Sequence, residues 1–145
     1  MATQESEWLS QQIVQHAPDA IIMADRDGII RLWNGGARAV FGYPAEETVG
    51  QSLDLIIPER LRDRHWNGFR KVMETGVTRY GRELLRVPAI RKDEVRISVE
   101  FSVALLRDPE GKILGVAAIM RDVTEHWAEQ KELRRRLAEL EAGRA

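Results

Sequence analysis

The stretch from Val95 to Leu105 constrains the fold more than any other part of the chain. Val95, Ile97, Val99, Phe101, Val103 and Leu105 occupy every second position, with Arg96, Ser98, Glu100, Ser102 and Ala104 between them. Successive side chains of a strand point to opposite faces, so this pattern calls for a long strand with one face covered. Such a strand is not stable alone. The remaining sequence has to pair its edges and shield its apolar face.

The flanking segments supply both. Ala20 to Ala24 is an apolar run that meets a turn at Asp25 to Gly28, and Ile29 to Trp33 follows as a second short strand, together a β-hairpin. Between Asn34 and Leu53 glycines and capping residues predict short helices, with Asn34 capping the first and Pro44, Glu46 and Glu47 opening another. Pro58 suits the first turn of a longer helix running to about Glu74 and stopping at Gly76. Three extended segments are then expected, Thr78 to Val87, Arg91 to Leu106 and Ile113 to Val123, with Asp108 to Lys112 as a turn. Two strands, several helices and three strands make an α+β fold, a five-stranded antiparallel sheet with short helices on one face.

Both ends read as helices. Trp8, Leu9, Ile13 and Val14 form a helical stripe that stops at Pro18, giving a flanking helix within residues 1–16. Residues 125–145 lack glycine and proline until Gly143 and are rich in strong helix formers. A heptad register there puts Val123, Gln130 and Leu137 at a and His126, Leu133 and Leu140 at d. Two of those six seam positions are polar, which makes a weak coiled coil by itself. The domain proper is expected over residues 17–124.

Charge and composition narrow the function classes. With 22 basic and 23 acidic residues and a formal net charge of -1, no nucleic-acid or membrane partner is expected. There is no cysteine, which excludes thiolate metal sites and any flavin or chromophore attached through a thiol. No run approaches the ~20 apolar residues of a membrane span, and the first residues do not resemble a signal peptide, so a cytoplasmic location is expected. No nucleophile–histidine–acid arrangement, zinc-protease motif or phosphate loop is present, and no enzymatic activity is expected.

"APDAIIMADRDGIIRLWN", "FGYPAEETVGQSLDLIIPER", "RKD" before the long strand and "MRDVTE" at the end, in this order and spacing, resemble a PAS domain, a sensory module of signalling proteins. The resemblance covers about Ala17 to Glu125. It implies a curved sheet around short helices, a small-molecule pocket between them, and an exit at "RDVTE" where Asp122 and Thr124 hold the last strand to a signalling helix by side-chain to backbone bonds. It also implies a homodimer through the flanking helices and a downstream output domain such as a histidine kinase.

Within that family the segment from Pro58 resembles the haem-binding PAS domains of rhizobial oxygen-sensor kinases and of a haem-regulated phosphodiesterase. Those place an iron-ligating histidine seven residues after the proline, where this chain has His65. The resemblance implies haem b on His65 as the metal ligand and a diatomic gas as signal. Carried across residue by residue, Phe101 and Val103 fall on the gas-binding face, Lys71 near a haem propionate, and Tyr80 at a distal apolar position. Leu85 replaces the kinases' oxygen-binding arginine and Glu83 the phosphodiesterase's methionine ligand. Carbon monoxide or nitric oxide would then be favoured over oxygen. Glu83, Arg82 and Arg86 are candidates for replacement polar roles, and Met120 lines the pocket from the last strand.

Two plainer readings stand beside this one. His65 is a helix residue that packs its ring and bonds to water, or the domain is haem-free, with a metabolite or side chains in the pocket and a role in dimerisation and relay. His16 and His126 are read as bland, and Trp33 as structural.

Overall fold

The computed structural model describes residues 2–78 and 84–143. The chain runs α1 (Ala2–His16), β1 (Ala20–Asp25), β2 (Ile30–Trp33), α2 (Gly35–Phe41), α3 (Ala45–Thr48), α4 (Arg62–Thr75), β3 (Leu85–Ile90), β4 (Arg96–Arg107), β5 (Ile113–Asp122) and α5 (Thr124–Ala142), with two short 3-10 turns before α4. The five strands form one antiparallel sheet in the order β2-β1-β5-β4-β3. This is the architecture expected from the alternating strand and its neighbours.

Alternation sets which face is covered. Ala20, Ile22 and Ala24 of β1 and Ile97 and Val99 of β4 are buried together with Ile30, Trp33, Ala37, Phe41, Leu53 and Ile56. Phe41 and Ile22 are among the largest fully buried side chains, each stabilising the fold by about 1.5–3 kcal/mol relative to exposure. The core therefore lies between the sheet and the segment from α2 to the 3-10 turns.

Several boundaries differ from the sequence expectation. The strand placed at Thr78 to Val87 is observed at Leu85–Ile90, and Tyr80, Arg82 and Glu83 lie outside the described residues. Pro88 is inside it, opposite Ser98. A proline lacks the N–H for a ladder bond, and β3 is the edge strand, where that loss is tolerated. The alternation also starts one step late: Arg91 to Glu94 form the hairpin turn, with Glu94 at φ 68, and Val95 is exposed ahead of β4. Pro58 precedes a 3-10 turn, Glu59–Leu61, so α4 begins only at Arg62. Its stop is as read: Gly76 takes φ 70 and its N–H donates to the Val72 carbonyl.

Candidate functional site

The buried stripe of α4 decides what the helix offers to the sheet. His65, Trp66, Phe69 and Val72 are half-buried and Met73 is buried, whereas Asp63, Arg64, Asn67, Arg70, Lys71 and Glu74 are exposed. Steps of one, three, three and one residues keep the first set on one helical face. His65 therefore lies on the inward stripe.

Its surroundings are aromatic and fixed. The imidazole meets Trp66 edge-on at 4.6 Å between ring centroids and lies tilted against Phe69 at 6.0 Å. Trp66 packs edge-on against Phe69 at 5.2 Å and donates its indole N–H to Asp54 Oδ1 at 2.7 Å. On its other side the Trp66 ring fills the space a side chain at Gly28 would need, and Gly28 sits at φ 76 in the β1–β2 turn. Glycine is required there on both counts. The Asp54 backbone is held by Ser52, whose hydroxyl accepts from its N–H at 3.1 Å.

The His65 nitrogens are left open. Nδ1 is buried with no hydrogen-bond partner. Nε2 makes no hydrogen bond to any described residue either, and it keeps accessible surface. Burial pushes the His65 pKa below its ordinary value of 6.5, and the nearby Asp54 carboxylate opposes that only in part. Burial thus favours the neutral imidazole, the form that donates a lone pair to a metal. The ring packs against its aromatic neighbours, with Nδ1 out of reach of bulk water.

The facing wall is a set of cross-strand rows. Leu85 pairs with Phe101, Phe101 with Met120, and Met120 with Ala20, which puts these four side chains on one face. Val103, Ala118 and Ile22 form the next row. Phe101 and Met120 border the same core as Trp66 and Phe69. Leu85, Phe101, Val103 and Met120 all remain half-buried, so the wall beneath the helices is only partly covered. At the far end of α4, Arg107 Nη2 reaches the Gly76 carbonyl at 3.0 Å and ties the helix end to β4.

Other expected site residues are placed elsewhere. Lys71 is exposed, on the side of α4 away from the stripe. Tyr80 and Glu83 fall outside the described residues. Arg86 belongs to the outer face of β3: it pairs with Glu100 at 3.0 Å and lies over the Trp127 ring at 5.3 Å. One step along a strand reverses the face, so Arg86 points away from the wall that carries Leu85, and its distal role is corrected. The exit is built as expected. Asp122 Oδ1 accepts from the Thr124 N–H at 3.0 Å, and Thr124 Oγ1 accepts from the Ser98 N–H at 2.9 Å.

Sequence reasoning missed Asp54. Ser52 two residues before it is a capping signal, but nothing in the sequence ties Asp54 to Trp66 twelve residues on. A cleft of about 370 Å³ opens beside the aromatic cluster, lined by Arg26, Asp27, Ser52, Trp66, Phe69 and Arg70. A larger depression of about 660 Å³ runs along Thr3 to Gln11 of α1, is lined by that helix alone, and has no part in this chemistry. Among the described residues no three His, Asp or Glu side chains gather as a metal cluster would require. No described helix is long and apolar enough to cross a membrane.

The chemistry of the ring suits an apolar ligand that takes one nitrogen: burial favours the neutral imidazole, which meets no partner among the described residues and stands on the inward stripe with an apolar wall opposite. The cleft beside it is lined by Trp66 and Phe69 and by none of His65, Leu85, Phe101, Val103 or Met120. The distal polar partner and the Lys71 contact do not form part of that fit.

Comparison with known proteins places the chain. The profile of the family described as PAS fold matches residues 14–127. The sensor protein FixL of Bradyrhizobium diazoefficiens is 29% identical over 133 residues, covering 90% of this chain and 25% of that protein. The oxygen sensor protein DosP of Escherichia coli is 27% identical over 120 residues, covering 83% of this chain and 15% of that protein. The chain thus spans a quarter or less of these curated relatives. The crystal structure of a PAS domain from Colwellia psychrerythraea superposes with a TM-score of 0.72 at 20% identity, covering 83% of this chain and 98% of that one.

Proposed function

The chain belongs to the PAS fold family, and from that premise we propose that it is a sensory and signal-relay module that holds haem b on His65. One observation carries the reading. The histidine on the inward stripe of α4 has a buried Nδ1, makes no hydrogen bond to a described residue, and keeps one nitrogen with accessible surface. Haem, when bound, supplies an iron that takes diatomic gases, and the chain's own residues do the rest. His65 would hold the iron through its imidazole nitrogen, Trp66 and Phe69 would fix the plane of that ring, and Phe101, Val103 and Met120 would exclude water from the facing wall. Leu85 on that wall cannot donate a hydrogen bond to bound oxygen, which favours carbon monoxide or nitric oxide.

Residues 17–124 are the sensor in this reading, and α1 and α5 are flanking helices through which two copies associate. The state of the pocket passes from β5 through the Asp122–Thr124 junction to α5, and from there to an output domain such as a histidine kinase in a longer, cytoplasmic protein. A ligand shifts that relay only through a difference in affinity between two arrangements. The two curated relatives named as sensors agree with this class of role.

Absorption spectroscopy during haem titration tests it. The expected result is a sharp Soret band that forms with one haem per chain and is lost in His65→Ala. Protein that stays colourless, or a band unchanged by the substitution, overturns the haem assignment and leaves the haem-free relay. Flavin fluorescence would overturn both.

A further inference from the structure

We propose that the cleft between the β1–β2 turn and α4 is a binding site for a small monoanion with a flat apolar body, an aryl carboxylate. The site is separate from the one read above and depends on no ligand at His65.

Arg26 and Asp27 of the turn, Ser52, and Trp66, Phe69 and Arg70 of α4 line a cleft of about 370 Å³. No residue of the wall that faces His65 takes part in it. Small-molecule sites occupy roughly 300–1,000 Å³, so this one suits a ligand at the small end of that range.

The cations of the cleft are held in place but not neutralised. Arg26 Nη1 donates to the Ile113 carbonyl at 3.0 Å, and Arg70 Nη2 donates to Asn67 Oδ1 at 2.6 Å. Both acceptors are uncharged, and neither arginine forms an ion pair among the described residues. Each guanidinium keeps further N–H groups to offer, in the planar fork that matches a carboxylate. Ser52 Oγ accepts from the Asp54 N–H at 3.1 Å, which leaves its hydroxyl hydrogen free to donate as well.

Asp27 sets the charge of the occupant. Two guanidiniums against its one carboxylate leave the lining with a single positive charge. A monocarboxylate balances that charge, whereas a phosphate dianion exceeds it and is repelled by Asp27.

The aromatic floor sets the body. Trp66 and Phe69 are half-buried and meet edge-on at 5.2 Å with 77° between their planes. The indole is fixed further by its 2.7 Å bond to Asp54 Oδ1. A rigid floor of this kind packs a flat ring with little ordering cost, and a short aliphatic acid would leave most of it uncovered.

Phenylacetate titrated into the full, isotope-labelled chain without haem tests this, read by NMR on the four tryptophan indole N–H signals. The Trp66 signal should move saturably, with a Kd on the order of 1 mM, while those of Trp8 and Trp127 stay in place. Phenylacetamide, of the same shape but uncharged, should bind at least about tenfold more weakly, and Arg26→Gln and Arg70→Gln should each weaken phenylacetate to a similar degree. Asp27→Asn should tighten it, a gain that a damaged fold does not produce. Inorganic phosphate that binds as well as phenylacetate means a plain anion site and overturns the aryl carboxylate. A Trp66 signal that stays still, follows phenylacetamide equally, or still moves with both arginines replaced overturns the site itself. None of these outcomes bears on whether His65 takes haem.

Discussion

Asn34 and His65 are both polar side chains set among apolar neighbours, and the fold completes one and leaves the other open. Asn34, 2% exposed, accepts from the Ile21 and Ala37 N–H groups at 2.8 and 2.9 Å and donates to the Val14 and Asp19 carbonyls at 2.7 and 3.1 Å. One amide thereby joins α1, β1 and α2. His65 Nδ1 is buried too and meets no partner among the described residues. Leaving a buried polar group unpaired costs about 1–3 kcal/mol. The contrast sets a fully satisfied amide beside a ring nitrogen without a partner, a condition that Arg91 Nε in the β3–β4 hairpin shares among the described residues.

Breaking the scaffold side should give the largest effect. Asn34→Ala strands two backbone donors and two acceptors, and urea unfolding should show a loss of about 2–4 kcal/mol. A loss under about 1 kcal/mol would mean that water replaces the amide readily and that the contrast with His65 is weak.

Acidification sharpens the site side. Burial depresses the His65 pKa in the folded state, so the unfolded chain binds the extra proton first as pH falls. The contribution is fully present above the ordinary value of 6.5 and is lost as pH drops through 6.5 toward the lower folded pKa. His65→Phe should flatten that acid slope of the unfolding temperature. An unchanged slope would place the titration elsewhere.

The smallest effect is expected at the exit. Arg86 spans from Glu100 to the Trp127 ring on the outer face of the edge strand, in exposed contacts worth about 0.5–1 kcal/mol. Arg86→Ala should leave global stability nearly unchanged and speed amide exchange in the first turn of α5. Exchange that stays the same would show that Thr124 and Ser98 hold that turn unaided.

Legibility follows from whether the physics is local. The period of β4, the Asn34 cap and the Gly76 stop each depend on a few neighbouring residues, and each could be read directly. β3 was set too early because Pro88 argues against a strand unless the strand is known to be an edge, and edge position is a property of the whole sheet. Arg86 seemed a pocket residue until pairing with Glu100 fixed its face. For His65 the resemblance to the haem-binding domains marks the position, but the slot formed by Trp66, Asp54 and Gly28 joins segments whose contact no local pattern records. Asn34 shows the same limit: its cap was visible, and its bonds to Val14, Asp19 and Ile21 were not.

The most direct test of the account is the sign of one stability difference, measured for His65→Leu against the parent chain with and without haem. Without haem the substitution should stabilise by about 1 kcal/mol, because it removes an unpaired buried nitrogen from an apolar slot. With excess haem the parent should become the more stable of the two, since only it gains the binding free energy. If His65→Leu destabilises the haem-free protein, or if haem raises both proteins equally, His65 is a packing residue and the account of the site is wrong.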